Sequence, residues 1–269
     1  MRVLMIGDIV GEPGRKLAIA AIPLLRRHES LDLVVANAEN VAGGSGITAR
    51  CHAQLAGAGI DVLTMGDHLY RQKEVMGLFG KRPPIVKPAN LPAEAAGPDH
   101  AIVEAGGFRV AVLSLLGRTF MKPCDCPFKA ADRVLAGLPA DVRTILVDVH
   151  AEATSEKQLL LRHLRGRVTA VVGTHTHVQT ADGHVTADGT AYLTDLGMTG
   201  PYDGIIGRRW EPVLHNAKTG EPRPFDVATG DPRLCGAIVD FDPETGRATA
   251  LRPVQLTAAA VAELAADVK

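Results

Sequence analysis

The chain has 269 residues and a net charge of −1, with 29 Lys and Arg against 30 Asp and Glu. This balance, together with an aromatic content of only 4%, argues against duplex nucleic acid, single strands or an anionic membrane as the main partner. No stretch approaches the roughly 18 apolar residues of a membrane-spanning helix, and four cysteines without regular spacing indicate a reducing compartment, so we expect a cytoplasmic protein.

The first third of the chain alternates short apolar runs with amphipathic segments, as parallel strands joined by helices do. The predicted strands are Val3–Ile6, Leu33–Ala36 and Asp61–Thr64. The predicted helices are Arg15–His28, Thr48–Ala56 and Arg71–Phe79. The stretch Lys81–Pro98 is rich in Pro and Gly and is predicted to be a long loop.

Further strands and helices follow in the remainder of the chain. The predicted strands are Ala101–Glu104, Val110–Leu115, Thr144–Val149, Ala170–Val172, Ala191–Leu193, Gly236–Phe241 and Ala248–Pro253. The predicted helices are Thr154–Leu164 and Ala258–Val268. Two packed sheets with helices outside accommodate these elements, so we expect an α/β (α+β) fold and a single domain over residues 1–269.

Residues that bind metals and transfer protons recur directly after five predicted strands. These residues are Asp8, Glu39, Asn40, Asp67, His68, His150, His175 and His177. Because the carboxyl ends of parallel strands form the binding edge of an open sheet, we expect these side chains to meet there. Taken singly, each has a plainer explanation as a cap, a turn residue or an isolated histidine.

The pair His175 and His177 is the strongest single signal. Residues two apart on a strand face the same side, so both imidazoles can converge on one point, and on a loop they can do so too. Carboxylate, amide and imidazole ligands suit manganese, iron or zinc. Seven such ligands exceed the usual protein set of one ion and fit two metals that share a carboxylate.

Two other motifs are open to more than one interpretation. The loop Gly43–Gly46 brings backbone N–H groups that could approach a phosphate, and it is equally consistent with a flexible turn. The pair Cys124 and Cys126 provides too few ligands for a closed zinc site, so an incidental pair in a loop is favoured.

Four sequence blocks resemble the calcineurin-like metallophosphoesterase superfamily, and most closely its YmdB-type bacterial cyclic-nucleotide phosphodiesterases. The blocks are Gly7–Arg15, Asp148–Lys157, Val172–Asp182 and Thr194–Gly204. The resemblance extends to about residue 207, and the last sixth of the chain matches less well. It implies a four-layer αββα sandwich.

The resemblance also implies a ligand set and a reaction. One metal would take Asp8, Glu39, Asn40 and His177, and the other would take Glu39, Asp67, His150 and His175, with iron or manganese as the ions. A bridging hydroxide would open (2′,3′-)cyclic nucleotides, and His68 would give a proton to the leaving ribose oxygen. The partner would then be a small phosphodiester or nucleotide.

The sequence departs from the family at one ligand. Asp67 stands where the family usually has asparagine, which adds a negative charge beside two divalent ions. We hypothesise that Asp67 alters the metal preference or slows the enzyme.

Two other functions remain open at this point: a metallophosphatase acting on monoesters or phosphoproteins, and a weakly active regulatory protein that binds metal and nucleotide. A homo-oligomer is also left open.

Overall fold

The computed structural model describes residues 1–266, which form strands β1–β14 and helices α1–α6. The strands are Arg2–Ile6, Asp8–Ile9, Leu33–Asn37, Val62–Thr64, Ile85–Val86, His100–Ala105, Phe108–Leu116, Thr144–His150, Ala170–Thr174, His184–Val185, Ala191–Leu193, Met198–Asp203, Gly230–Asp242 and Arg247–Thr257. The helices are Gly11–His28, Ala49–Gly57, Pro127–Gly137, Thr154–Leu164, Trp210–Thr219 and Ala258–Ala266.

The first sheet has eight strands in the order β2-β12-β13-β1-β3-β4-β5, with β14 also paired to β13. Strands β1, β3, β4 and β5 run parallel, and the long β13 joins them antiparallel to β1. Side chains of β1 alternate between two cores. Val3 and Met5 face the second sheet, whereas Leu4 and Ile6 face the outer helices.

The second sheet has six strands in the order β10-β11-β9-β8-β7-β6. Strands β7, β8, β9 and β11 are parallel, and an antiparallel strand closes each edge. Its outer face packs against α3 and α4 through residues such as Val147, Leu160 and Val171. The inner face shares a core with the first sheet, to which Val112, Leu146 and Val172 contribute.

Three cores therefore separate four layers: α1, α2 and α6 on one side, the two sheets, and α3 with α4 on the other. The predicted αββα sandwich is confirmed. Each predicted strand is present. Strand Ala191–Leu193 and helix Thr154–Leu164 have the predicted bounds, and the other strands differ by one to six residues at an end.

Several local predictions were wrong. The helix predicted over Arg71–Phe79 is only a 3₁₀ turn at Lys73–Gly77. Helices α3 and α5 were not predicted, and the short β5 lies inside the stretch predicted to be a loop. The last predicted helix begins at Ala258 as expected, and its predicted end at Val268 lies outside the described residues.

Helix α5 differs from the other helices of the chain, because none of its side chains is fully buried in the described structure. The segment around it exposes several large apolar side chains: Ile205, Ile206, Trp210, Leu214 and Phe225. Among residues 1–266, no helix combines the length and apolarity needed to cross a membrane.

Candidate metal centre

The two sheets deliver their polar strand ends to one place. Asp8 lies in β2 just after β1, and Glu39 with Asn40 follows β3. Asp67 and His68 follow β4 in the same sheet. His150 ends β8 in the second sheet, and His175 with His177 follows β9. The convergence expected from the sequence is therefore present in the folded chain, although the role of these residues as ligands stays a prediction.

Three side chains form one compact group. The ligand atoms of Asp67, His150 and His175 all lie within 4.8 Å of one another. His150 Nε2 lies 3.4 Å from Asp67 Oδ1 and 3.0 Å from His175 Nδ1. These are three of the four residues that the family resemblance assigns to one metal.

Glu39, the predicted bridging ligand, lies at the centre of the site and is buried. It forms a second group with Asp8 and His150 and a third with Asp67 and His68. Burial opposes ionisation of Glu39, but the charges and hydrogen bonds of His150 and His68 hold its pKa well below its usual value. Glu39 is therefore a carboxylate that neighbouring cations stabilise.

The other predicted ligand set is more open. His177 Nε2 lies 3.8 Å from Asp8 Oδ1 and 3.3 Å from Asn40 Nδ2. Asn40 turns its Oδ1 toward His68 Nδ1 at 2.7 Å. In this arrangement the amide nitrogen of Asn40 faces the site, so the amide would have to rotate for its oxygen to bind a metal.

Two buried carboxylate oxygens show that the cluster fits a cation. Asp8 Oδ1 and Asp67 Oδ1 are buried and have no hydrogen-bond partner within the described residues. Burial raises the pKa of Asp8 to about 6, although the charges of His177 and His150 act in the opposite direction. Because buried charges are normally paired or coordinate metals, these oxygens are suited to metal ions.

The imidazoles respond differently to this environment. Burial would lower the pKa of His150, but the charges of Glu39 and Asp8 and the close approach of the Asp67 and Glu39 carboxylates raise it well above its usual value. Burial and the charge of His150 lower the pKa of His175 to about 4. A metal ion would take the place of the proton on His150 Nε2 in this cluster.

Gly66 allows the close approach of these groups. A Cβ at this position would overlap Glu39 Oε2 and the His150 ring. The residue immediately before Asp67 must therefore lack a side chain for the site to form.

His175 and His177 lie on a turn with unusual backbone geometry, since their φ angles are 95° and 66°. The buried Asp195 holds the turn: its Oδ2 accepts hydrogen bonds from Thr176 N at 3.2 Å and Thr176 Oγ1 at 2.7 Å. The same oxygen pairs with the buried Lys157 Nζ of α4 at 2.7 Å. Such strained conformations persist only where surrounding structure fixes them.

Outer contacts orient both of these histidines. His175 Nε2 lies 3.2 Å from Glu152 Oε2, which leaves Nδ1 toward His150. His177 Nδ1 lies 3.0 Å from the carbonyl of Ile206, which leaves Nε2 toward Asp8. The contact places Glu152 where it can orient the His175 ring.

The buried polar residues beneath the site were not predicted from the sequence. They are Asn37, Thr64, Asp148, Lys157, Thr174 and Asp195. Asp148 could have been found from the sequence, because it interrupts an apolar run two positions before His150. Residues two apart on a strand face the same side, so Asp148 lies on the same face as His150.

The two ambiguous motifs are now placed. Arg208 donates to the carbonyls of Gly43 and Gly44, and Glu39 O accepts a hydrogen bond from Gly46 N, so this glycine loop borders the site. Cys124 and Cys126 are free thiols, and Cys126 immediately precedes α3. Burial raises the pKa of the Cys124 thiol.

Comparison with known proteins gives consistent results. A 2′,3′-cyclic-nucleotide 2′-phosphodiesterase of Bacillus subtilis (strain 168) is 43% identical over 254 residues, which cover 94% of this chain and 96% of that protein. A hypothetical protein from Thermus thermophilus has a crystal structure with a TM-score of 0.90 and 42% identity, covering 96% of this chain and 99% of that one.

A crystal structure described as a novel phosphatase, from Mycoplasma pneumoniae, also has a TM-score of 0.90. It is 30% identical and covers 96% of this chain and 93% of that one. A family model described as YmdB-like protein matches residues 4–254. With this match over nearly the whole described fold, the chain belongs to the YmdB-like family.

Proposed function

We propose that this chain is a metallophosphoesterase that hydrolyses cyclic nucleotides, in particular 2′,3′-cyclic ones. The observation that carries the proposal is the cluster of Glu39, Asp67, His150 and His175, in which a buried carboxylate oxygen lacks a partner among residues 1–266. The activity named for the Bacillus subtilis relative supports the choice of substrate.

The residues on both sides of Glu39 could hold two ions. Asp67, His150 and His175 would bind one, and Asp8, Asn40 and His177 would bind the other, with Glu39 shared. Because all the donors are oxygen or nitrogen atoms, iron and manganese suit the site, and zinc is also compatible. When bound, the two ions would lower the pKa of a water between them and neutralise charge on the phosphoryl oxygens.

His68 is the residue that we propose as the proton donor. Its Nδ1 lies 3.1 Å from the carboxylate oxygen Glu39 Oε1, so Nδ1 carries a proton that Glu39 accepts. Its side chain is 27% exposed, whereas that of His150 is fully buried. Nε2 is therefore the atom that would protonate the departing ribose oxygen, from the imidazolium form of the ring, which carries a proton on each nitrogen.

Hydrolysis of 2′,3′-cyclic AMP by purified protein loaded with manganese or iron tests the proposal. We expect metal-dependent turnover that falls by roughly 10²–10⁴-fold in His68→Ala, with metal content retained. His28→Ala is the control, because His28 lies in the last turn of α1 and its side chain is 54% exposed. Equal loss of metal and rate in His68→Ala would instead make His68 a ligand, a role that its proximity to Glu39 and Asp67 allows.

A phosphatase acting on monoesters or phosphoproteins is the second candidate, and the Mycoplasma pneumoniae structure described as a phosphatase favours it. Comparison of rates on a cyclic diester and on a nucleoside monophosphate separates the two. Absence of turnover with two metals bound would favour a regulatory protein that binds metal and nucleotide.

We also propose that the chain forms one domain over residues 1–269 and works in the cytoplasm. The core shared by both sheets supports a single folding unit. All four cysteines are free thiols, and this is the state that a reducing compartment maintains.

A further inference from the structure

Four buried polar side chains connect the two sheets beneath the proposed metal centre. Asn37 and Thr64 end strands β3 and β4 of the first sheet, and Asp148 and Thr174 lie on β8 and β9 of the second. Each is at most 2% exposed. Buried polar groups at such a position need complete hydrogen bonding, and the pattern of donors and acceptors is therefore informative.

Asp148 is the acceptor of this network. Its Oδ2 accepts from Thr64 Oγ1 at 2.6 Å and from Asn37 Nδ2 at 3.0 Å, and its Oδ1 accepts from Thr174 Oγ1 at 2.7 Å. The amide of Asn37 is oriented independently, because its Oδ1 accepts a hydrogen bond from Glu39 N at 3.1 Å.

The single hydroxyl proton of Thr174 fixes the direction of the next hydrogen bond. Since that proton goes to Asp148, Thr174 Oγ1 can only accept from His150 Nδ1, which lies 2.9 Å away. Asn37 Nδ2 is also near His150 Nδ1, but at 3.4 Å this contact is much longer. The Nδ1 atom of His150 therefore carries a proton.

With Nδ1 occupied, the other ring nitrogen is directed into the site. His150 Nε2 lies 3.3 Å from Glu39 Oε2 and 3.4 Å from Asp67 Oδ1. We propose that Asp148 and Thr174 are positioning residues that keep the proton on His150 Nδ1, so that Nε2 is presented as a metal ligand. This inference rests on the proposed function, because it assigns a role within the same metal centre.

The proposal differs from a purely structural role in what it predicts for metal binding. A network that only joins the sheets would affect the stability of the metal-free protein and leave the affinity for metal unchanged. A partner that orients a ligating imidazole typically changes metal affinity by roughly 10–100-fold when it is removed.

Thr174→Val removes the hydroxyl and keeps the shape of the side chain. Titration of the metal-free full chain with Mn²⁺ should show a dissociation constant raised by roughly 10–100-fold. Thr174→Ser retains the hydroxyl and should stay within about threefold of the wild type, a difference of less than 1 kcal/mol.

Thr144→Val is the matched control. Thr144 is the first residue of β8, the strand that ends in His150. It is buried, and its Oγ1 has no hydrogen-bond partner in the described part of the chain. Its Mn²⁺ affinity should equal that of the wild type. Unchanged affinity in Thr174→Val, or an equal loss in Thr144→Val, would overturn the inference.

A measurement on the wild type keeps the inference testable if Thr174→Val fails to fold. In zinc-loaded protein, ¹⁵N–¹H NMR should show the His150 proton on Nδ1 and none on Nε2, whereas a proton on Nε2 would overturn the inference. If the wild-type chain binds neither Mn²⁺ nor Zn²⁺, both the proposed function and this inference fail. If it binds metal with the opposite tautomer, only the inference fails.

Discussion

The histidines of the candidate site are held in two different ways. His150 ends a regular strand, is fully buried and is oriented by a network that joins both sheets. His175 and His177 lie on a turn with left-handed backbone angles, are partly exposed, and depend on the buried pair of Asp195 with Lys157. A strand directs its side chains through regular geometry, whereas this turn needs support from a residue of another element.

The largest expected effect comes from breaking the support of the turn. Lys157→Met leaves the carboxylate of Asp195 buried without its ammonium partner, and removal of one member of a buried ion pair costs about 3–5 kcal/mol. We expect the free energy of unfolding of the metal-free protein to fall by that amount in urea titration. The affinity for metal should fall as well, because the His175–His177 turn loses its anchor.

Lys129→Met is the control for this prediction, since Lys129 is an exposed lysine on α3, which packs on the same face of the second sheet. Similar stability of the two methionine variants would contradict the importance of the buried pair. In that case, the turn at His175 and His177 would not need support from a residue distant in sequence.

An intermediate effect is expected at Asp67, which faces both kinds of histidine. Its Oδ1 lies 3.4 Å from His150 Nε2 and 3.8 Å from His175 Nδ1. Asp67→Asn removes one negative charge from this position. For iron, and likewise for manganese, we expect the ratio of the affinity for the trivalent ion to that for the divalent ion to fall by about tenfold, equivalent to ~1.4 kcal/mol.

Metal competition followed by elemental analysis and rate measurement checks the Asp67 prediction. Asp141→Asn serves as the control, because Asp141 is exposed and pairs with Arg109 away from the site. The hypothesis about this departure from the family fails if metal content, metal preference and rate are all the same as in the wild type.

The smallest expected effect is the difference in stability between a glycine and an alanine variant, at one histidine of the turn and at the histidine of the strand. Because L residues are strained at a φ of 66°, His177→Gly should be more stable than His177→Ala by about 1 kcal/mol. In strand β8, His150→Gly should be less stable than His150→Ala by about 0.5–1 kcal/mol. Thermal unfolding of the four metal-free variants measures both differences, and the same sign at both positions would contradict the comparison.

The contrast also explains how much of the site could be predicted from sequence. Asp8, Glu39, Asp67 and His150 follow apolar strands whose ends meet by the rules of parallel sheets, so their convergence was predictable. The left-handed turn at His175 and His177 was not predictable, because neither position is occupied by glycine, the residue that usually indicates this backbone conformation. Its support comes from Lys157 and Asp195, which are distant in sequence and become adjacent only in the folded chain.

Two packed sheets with outer helices were predictable, because short continuous apolar runs indicate buried strands and apolar residues recur at helical spacing in α1. The four-layer αββα order came from the family resemblance. Helix α5 buries too little to leave such a pattern among its described side chains. Helix α3 begins at Pro127 directly after Cys126, and that stretch was read as a loop around the two cysteines although proline at a helix start is a recognised signal.

The loosely packed segment that contains α5 has a consequence for the dynamics of the site. Segments with few buried contacts open by local unfolding at low free-energy cost, without unfolding of the rest of the chain. The carbonyl of Ile206, which orients His177, belongs to this segment. Amide hydrogen exchange around Trp210 would therefore report how often the site loses one of its histidine supports, and metal bound to His177 would slow that exchange.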